Sequence, residues 1–265
     1  MSDRFEVLPF VRAEEEAARL PEPVRLTVTC SPVHGLDRTV ETATHLRGLG
    51  HEVTVHLAAR MVRDRAHLDA VLATMADAGI DDAFVIGGDA TPPVGTFASA
   101  GELLPLVDAH EHRPQTLGIA GYPEGHPLID DATLAEVLLE KSHLADYMTT
   151  QLCFDPGVLL GWVHRVRAGG IELPVLVGVP GRVDRLRLLE ISAKVGVGPS
   201  LSFLKKQRGL RNLLRLSASS ADRLYDALAP HVGDEELAVE GFHWFTFNRL
   251  VETWTWRQEK EVGVR

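Results

Sequence analysis

The stretch Ala120-Gly121-Tyr122-Pro123-Glu124-Gly125-His126-Pro127 puts a tyrosine, a glutamate and a histidine where two prolines and two glycines already mark a turn. The turn formers need no further reason. Ring faces and titratable groups at the end of an apolar run do, because they can border a bound ring. Other polar residues interrupt or end apolar runs in the same way. Glu6 lies in Arg4-Phe5-Glu6-Val7-Leu8-Pro9; turned inward, its carboxyl is raised by desolvation and suited to deliver a proton near neutral pH. A strand-edge glutamate facing water is the other reading. Asp89 follows Gly87-Gly88, which let the backbone turn sharply and approach a ligand; otherwise it caps the next helix or turn. Gln151 donates and accepts at once, which fits the mixed edge of a heterocyclic ring, although a structural strand glutamine reads the same. His56, between Val55 and Leu57, is either a ligand or a hydrogen-bonded core histidine.

The His, Asp and Glu residues show no metal-site spacing, and no G-x-S-x-G nucleophile motif occurs. Cys30 and Cys153 are too far apart for a C-x₂-C site and read as small buried hydrophobes. A formal net charge of −10 excludes a general nucleic-acid binder. Against that acidic background, Lys205-Lys206-Gln207-Arg208 with Arg211 and Arg215 is either a solvated helix face or an attractor of an anionic ligand tail. The first residues, Met-Ser-Asp-Arg-Phe-Glu, lack an apolar signal region, and no run approaches the ~20 apolar residues of a membrane span. A cytoplasmic protein without membrane association is expected.

Elements must position these residues. Strand-like runs recur at Phe5–Pro9, Val24–Cys30, Val53–Leu57, Ala83–Gly88, Leu117–Tyr122, Tyr147–Phe154, Val175–Val179 and Phe242–Phe247. Between them lie apolar residues at helical spacing, such as Leu68, Val71, Leu72, Met75 and Ala76, or Leu159, Trp162, Val163 and Val166. Continuous apolar runs such as Ala83-Phe84-Val85-Ile86 suit parallel strands covered on both faces. Strand and helix in eightfold alternation predict a (β/α)8 TIM barrel, a single domain over residues 1–265, with the active site at the C-terminal strand ends. A doubly wound open sheet is the rival, but no G-x-G-x-x-G follows the first strand. The spacing lapses between Val179 and Phe242; Asp184–Val195 is assigned to the seventh barrel helix and 199–229 to extra helices before the last strand.

In order, Phe5-Glu6-Val7-Leu8-Pro9, Val28-Thr29, Val55-His56-Leu57, Gly88-Asp89, Tyr122-Pro123-Glu124-Gly125-His126-Pro127, Lys141, Thr150-Gln151-Leu152-Cys153-Phe154-Asp155 and Phe242 through Arg249 resemble the methylenetetrahydrofolate reductase family. The Tyr-Pro-x-x-His-Pro and Thr-Gln-x-x-Phe-Asp pair is the specific part. The resemblance implies a (β/α)8 barrel that reduces 5,10-methylenetetrahydrofolate to 5-methyltetrahydrofolate with hydride from NADH or NADPH, usually through FAD. It implies Glu6 as the general acid at the bridging nitrogen and Asp89 as the carboxylate beside the resulting iminium. It also implies Thr29, Gln151, Phe247 and Arg249 as folate-binding residues, and His56, Gly88, Tyr122, His126 and Lys141 as cofactor-binding residues. Two carboxyls with separated roles agree with that chemistry.

Three departures fall in one subsite. Gly87-Gly88-Asp89 stands where flavin-using members have Arg-Gly-Asp, Thr29-Cys30 stands for Thr-Tyr, and Leu134 and Val137 replace polar residues in the helix before Lys141 across a one-residue gap. They imply weak or absent FAD binding and direct hydride transfer from the nicotinamide. An FAD enzyme with altered contacts is the alternative; a folate- or pterin-binding barrel without catalysis, such as an accessory subunit, is a third. The implied partner is a folate substrate, and a homo-oligomer is compatible with it.

Overall fold

The computed structural model describes residues 3–126, 128–182 and 218–263. Its strands are β1 (Arg4–Val7), β2 (Arg25–Val28), β3 (Glu52–Ala58), β4 (Asp82–Ile86), β5 (Thr116–Gly121), β6 (Tyr147–Thr150), β7 (Val175–Pro180) and β8 (Val239–Phe245). The described helices are α1 (Val11–Ala17), α2 (Gly35–Gly48), α3 (Arg65–Asp77), α4 (Ala100–Asp108), α5 (Asp131–Ser142), α6 (Pro156–Ala168), α7 (Ala218–Leu228) and α8 (Leu250–Gly263). Every strand pairs in parallel with its sequence neighbour, and β1 pairs with β8, so the sheet closes into the expected barrel. No described helix is long and apolar enough to cross a membrane.

Burial on both faces explains the strand sequences. All six residues of β7, Val-Leu-Val-Gly-Val-Pro, are buried, as are the last six of β3. Helix starts follow side-chain caps: Asp64, Ser99 and Asp130 accept from backbone N–H groups of α3, α4 and α5, and Asp155 accepts from Gly157 and Val158 with Pro156 in the first turn of α6. Asp155 therefore does a capping job at the strand end.

The expected sixth run overshot, since β6 stops at Thr150. The Gln151 N–H still bonds to Gly121 O at 2.8 Å, but the chain then turns into the α6 cap. β8 begins three residues before the expected Phe242, because Val239 extends the pairing with β7. Cys153 is buried as expected, whereas Cys30 is only partly covered. The seventh barrel helix assigned to Asp184–Val195 and the basic stretch Lys205–Arg215 lie outside the described residues, and so does most of 199–229. The described end of that region is α7 and a 3₁₀ turn, Ala229–His231.

The barrel floor is polar. Arg4 pairs with Asp82 at 2.6 Å, donates to Tyr147 Oη at 2.6 Å and Thr54 Oγ1 at 2.9 Å, and lies over the Tyr147 ring. Tyr147 in turn donates to Asp82 Oδ1 at 2.9 Å. Gly118 makes room for that ring: a Cβ there would sit 2.2 Å from Tyr147 Cζ. A compact ion pair held by hydroxyls thus closes the strand N-termini beneath the residues considered next.

Candidate active site

Strand alternation aims Glu6 inward, two residues above Arg4 on β1. Its side chain is 14% exposed, and Oε2 lies 3.1 Å from His243 Nε2 on β8 and 3.9 Å from His56 Nε2 on β3. The backbone at Glu6 is fixed from β8 as well, its carbonyl accepting from Thr246 Oγ1 at 2.6 Å. The water-facing reading of Glu6 is therefore replaced by the inward one. Burial pushes its carboxyl up to about 7, with His56 opposing the shift. Burial also pushes His56 down to about 4 and His243 down to about 3, the latter helped by the positive charge of Arg4. The cluster is thus an acid poised to exchange its proton near neutral pH between two uncharged imidazoles.

His56 is not a hydrogen-bonded core histidine at its inner nitrogen, since Nε2 is buried without a partner. Its ring packs on Phe84, with centroids 4.8 Å apart. Sequence reading singled out Glu6 and His56 but missed His243. The available signal was period-two alternation in Phe242-His243-Trp244-Phe245, where Phe242 and Trp244 pack together outside and His243 and Phe245 face in. One side-chain donor or acceptor atom from each of Glu6, His56 and His243 lies within 4.8 Å of the other two, a gathering that no sequence spacing could reveal. Arg4, in register with His243, opposes a cation at that point.

Around the mouth the expected residues fall into groups. Thr29 follows β2; its N–H bonds to Val7 O at 3.0 Å, and its buried Oγ1 has no partner. Asp89 is exposed, and its side chain caps no described helix. It stands near Tyr122 and His126, raising the Tyr122 hydroxyl after burial does and opposing the burial that lowers His126. Those two rings meet edge to face with centroids 5.3 Å apart. Gly88 has φ +84°, and a Cβ there would meet Ala58 Cβ at 2.8 Å, so backbone geometry and packing require glycine. Gln151 lies just past β6, exposed, its Oε1 accepting from Leu152 N at 2.8 Å. Phe247 and Asn248 take left-handed backbone angles, φ 50° and 56°, at the end of β8. Arg249 beside them pairs with Glu252 at 2.7 Å.

Lys141 is set apart from these groups. It occupies the last turn of α5 on the face that carries Leu134, Val137 and Leu138, and it is 9% exposed. Burial alone lowers its amine to about 8, and no described carboxylate pairs with it. Its Cα–Cβ bond, like that of any helical residue, tilts toward the N-terminal end of the helix.

The family model described as methylenetetrahydrofolate reductase matches residues 11–192. That span omits β1 with Glu6 and β8 with His243. Similar curated proteins include methylenetetrahydrofolate reductase 1 of Schizosaccharomyces pombe, 29% identical over 42% of this chain and 20% of that protein. Methylenetetrahydrofolate reductase 2 of Saccharomyces cerevisiae is 27% identical over 52% of this chain and 24% of its own length. Methylenetetrahydrofolate reductase (NADH) 1 of Arabidopsis thaliana is 27% identical over 54% of this chain and 27% of its own. The matched segments thus span about a fifth to a quarter of these relatives.

Proposed function

Because the chain belongs to the methylenetetrahydrofolate reductase family, we propose that its barrel is the catalytic domain of a reductase that converts 5,10-methylenetetrahydrofolate to 5-methyltetrahydrofolate with NADH or NADPH. The observation that carries the reading is Glu6, buried at the base of the barrel mouth with Oε2 3.1 Å from His243 Nε2, where burial pushes its carboxyl up to about 7. The Glu6 proton goes to the bridging nitrogen, whose bond to the methylene carbon breaks and leaves an iminium. Hydride from the nicotinamide adds to that carbon and gives the methyl group, while Glu6 regains a proton from solvent. Asp89, a carboxylate at the rim, offsets the positive charge of the iminium. Thr29, Gln151, Phe247 and Arg249 hold the folate. His56, Tyr122, His126 and Lys141 border the cofactor, and Gly88 contributes only backbone.

The residues present fit a flavin poorly. A Cβ at Gly87 would meet nothing within 4 Å, so packing leaves room for a basic side chain that this sequence does not supply. Leu134 and Val137 give the inward face of α5 no polar group above Lys141. These features support direct transfer from nicotinamide, and the name (NADH) carried by the Arabidopsis relative supports NADH as donor. The test is NADH oxidation by purified protein with methylenetetrahydrofolate and no added flavin. Turnover by colourless protein supports the proposal. A stoichiometric visible flavin band, or turnover only after FAD addition, transfers it to the FAD-dependent form; no turnover under any of these conditions leaves a folate-binding barrel.

A further inference from the structure

Glu6 has two oxygens with different surroundings. Oε2 faces His243 Nε2 at 3.1 Å, whereas Oε1 makes no hydrogen bond among the described residues. On His243 the other ring nitrogen, Nδ1, is buried with no partner. A proton on Nδ1 would be a buried donor with nothing to receive it, a costlier arrangement than a bare lone pair. The neutral ring therefore carries its hydrogen on Nε2. A second proton is opposed twice, by the empty surroundings of Nδ1 and by Arg4, which sits in register with His243 across the β1–β8 ladder.

We propose that His243 is a positioning residue for the acid: its Nε2–H donates to Glu6 Oε2, which leaves the acidic proton on Oε1, the oxygen free to meet substrate. After transfer the same N–H stabilises the carboxylate, and no proton is stored on the imidazole. The proposal deepens the reductase reading and rests on it for the identity of the proton acceptor. The titratable groups facing Glu6 are Arg4 on its own strand, His56 from β3 and His243 from β8; from β2 its register partner is Thr27, which does not titrate. Arg4 is itself engaged by Asp82 and Tyr147 on the floor.

The tautomer can be read without substrate. ¹⁵N spectra of histidine-labelled protein, with the His243 signal assigned by its loss in His243→Gln, are expected to show a neutral ring protonated at Nε2 throughout the range in which Glu6 titrates. A ring protonated at Nδ1, or an imidazolium there, overturns the proposal. Carboxyl ¹³C titration, assigned by Glu6→Gln, supplies the second measurement. His243→Leu is expected to move the Glu6 titration up by about one pH unit, tenfold in proton affinity, because the anion loses its donor. His243→Gln, which offers an amide N–H near the same point, restores it. A merely structural role would lower the melting temperature of both variants and leave the titration in place, which overturns the proposal. If the spectra and titrations follow expectation but wild type never turns over the folate, the positioning role stands and the reductase reading falls.

Discussion

An acid that must release its proton near neutral pH has to be disfavoured as an anion, and Glu6 is disfavoured by its place inside the barrel. Glu6→Gln is expected to keep folate binding and lose turnover by on the order of 10²-fold or more. The same burial predicts a stability effect of known sign. The carboxyl is raised from 4.5 to about 7, so the native state holds a proton that the unfolded state releases, and stability falls as pH rises through that window. Glu6→Gln removes the penalty and should unfold at higher denaturant than wild type at neutral pH and above. The upper bound is roughly 3 kcal/mol, and the gap should close below the unfolded carboxyl value. A variant less stable than wild type in mild alkali would mean that the native carboxylate is ionised and paired. Phe247 carries a different strain, a left-handed backbone at φ 50° under a half-buried ring. Its cost is roughly 1–2 kcal/mol, of which glycine relieves most. Phe247→Gly is expected to leave thermal stability unchanged or slightly higher while raising KM for the folate about tenfold or more. A marked loss of stability with unchanged KM would assign the ring to the core.

At the scale of one helix, α5 carries an unusual burden, a buried lysine in an apolar stripe without a described carboxylate partner. Its amine is lowered from 10.5 to about 8, so the unfolded state binds more protons between those values and stability rises with pH across them. Lys141→Met should therefore stabilise the protein at neutral pH by up to roughly 3 kcal/mol. The advantage should shrink by about half toward pH ~9.5 and vanish above the unfolded value. If Lys141 serves the cofactor, the same variant raises KM for the nicotinamide donor while leaving the folate KM in place; equal changes in both would remove that role. The element level was also the most legible in the sequence. Continuous apolar runs such as Ala83-Phe84-Val85-Ile86 marked strands covered on both faces, and helical spacing located α3 and α6. Two-sided burial is also why the direction of Glu6 stayed open: in β1, Phe5 and Val7 are buried outside the barrel as thoroughly as other residues are inside, so apolar pattern alone could not tell its faces apart. His243 was hidden for a related reason, since it reaches Glu6 only through closure of the sheet between strands far apart in sequence.

That closure is a property of the whole molecule, made where the first strand meets the last. Asp3 accepts from Phe242 N at 3.0 Å and from Arg257 Nε at 2.6 Å, tying the start of β1 to β8 and α8. At the other end of β1, Asn248 Oδ1 accepts from Leu8 N at 2.7 Å, and its Nδ2 donates to Leu8 O at 3.2 Å. Asn248 is buried and left-handed, a conformation asparagine tolerates better than most residues. One side chain thus bonds both backbone groups of Leu8, two positions beyond the acid, the carbonyl shared with Phe10 N, and fixes how β1 leaves the barrel. Asn248→Ala leaves the Leu8 N–H buried without a partner, whereas Leu8 O keeps the Phe10 N–H at 2.7 Å, and it keeps a Cβ at a left-handed position without asparagine's local hydrogen bonding. The expected loss is roughly 2–4 kcal/mol, with a drop in melting temperature on the order of 4–8 °C. Asn248→Gly loses the same hydrogen bonds but not the backbone tolerance, so it should fall between alanine and wild type. Because the clamp sets the position of Glu6 and not its acidity, both variants should lower kcat without moving the pH at which Glu6 titrates. A displaced titration in Asn248→Gly would show that the clamp also controls desolvation of the acid, joining barrel closure to proton affinity.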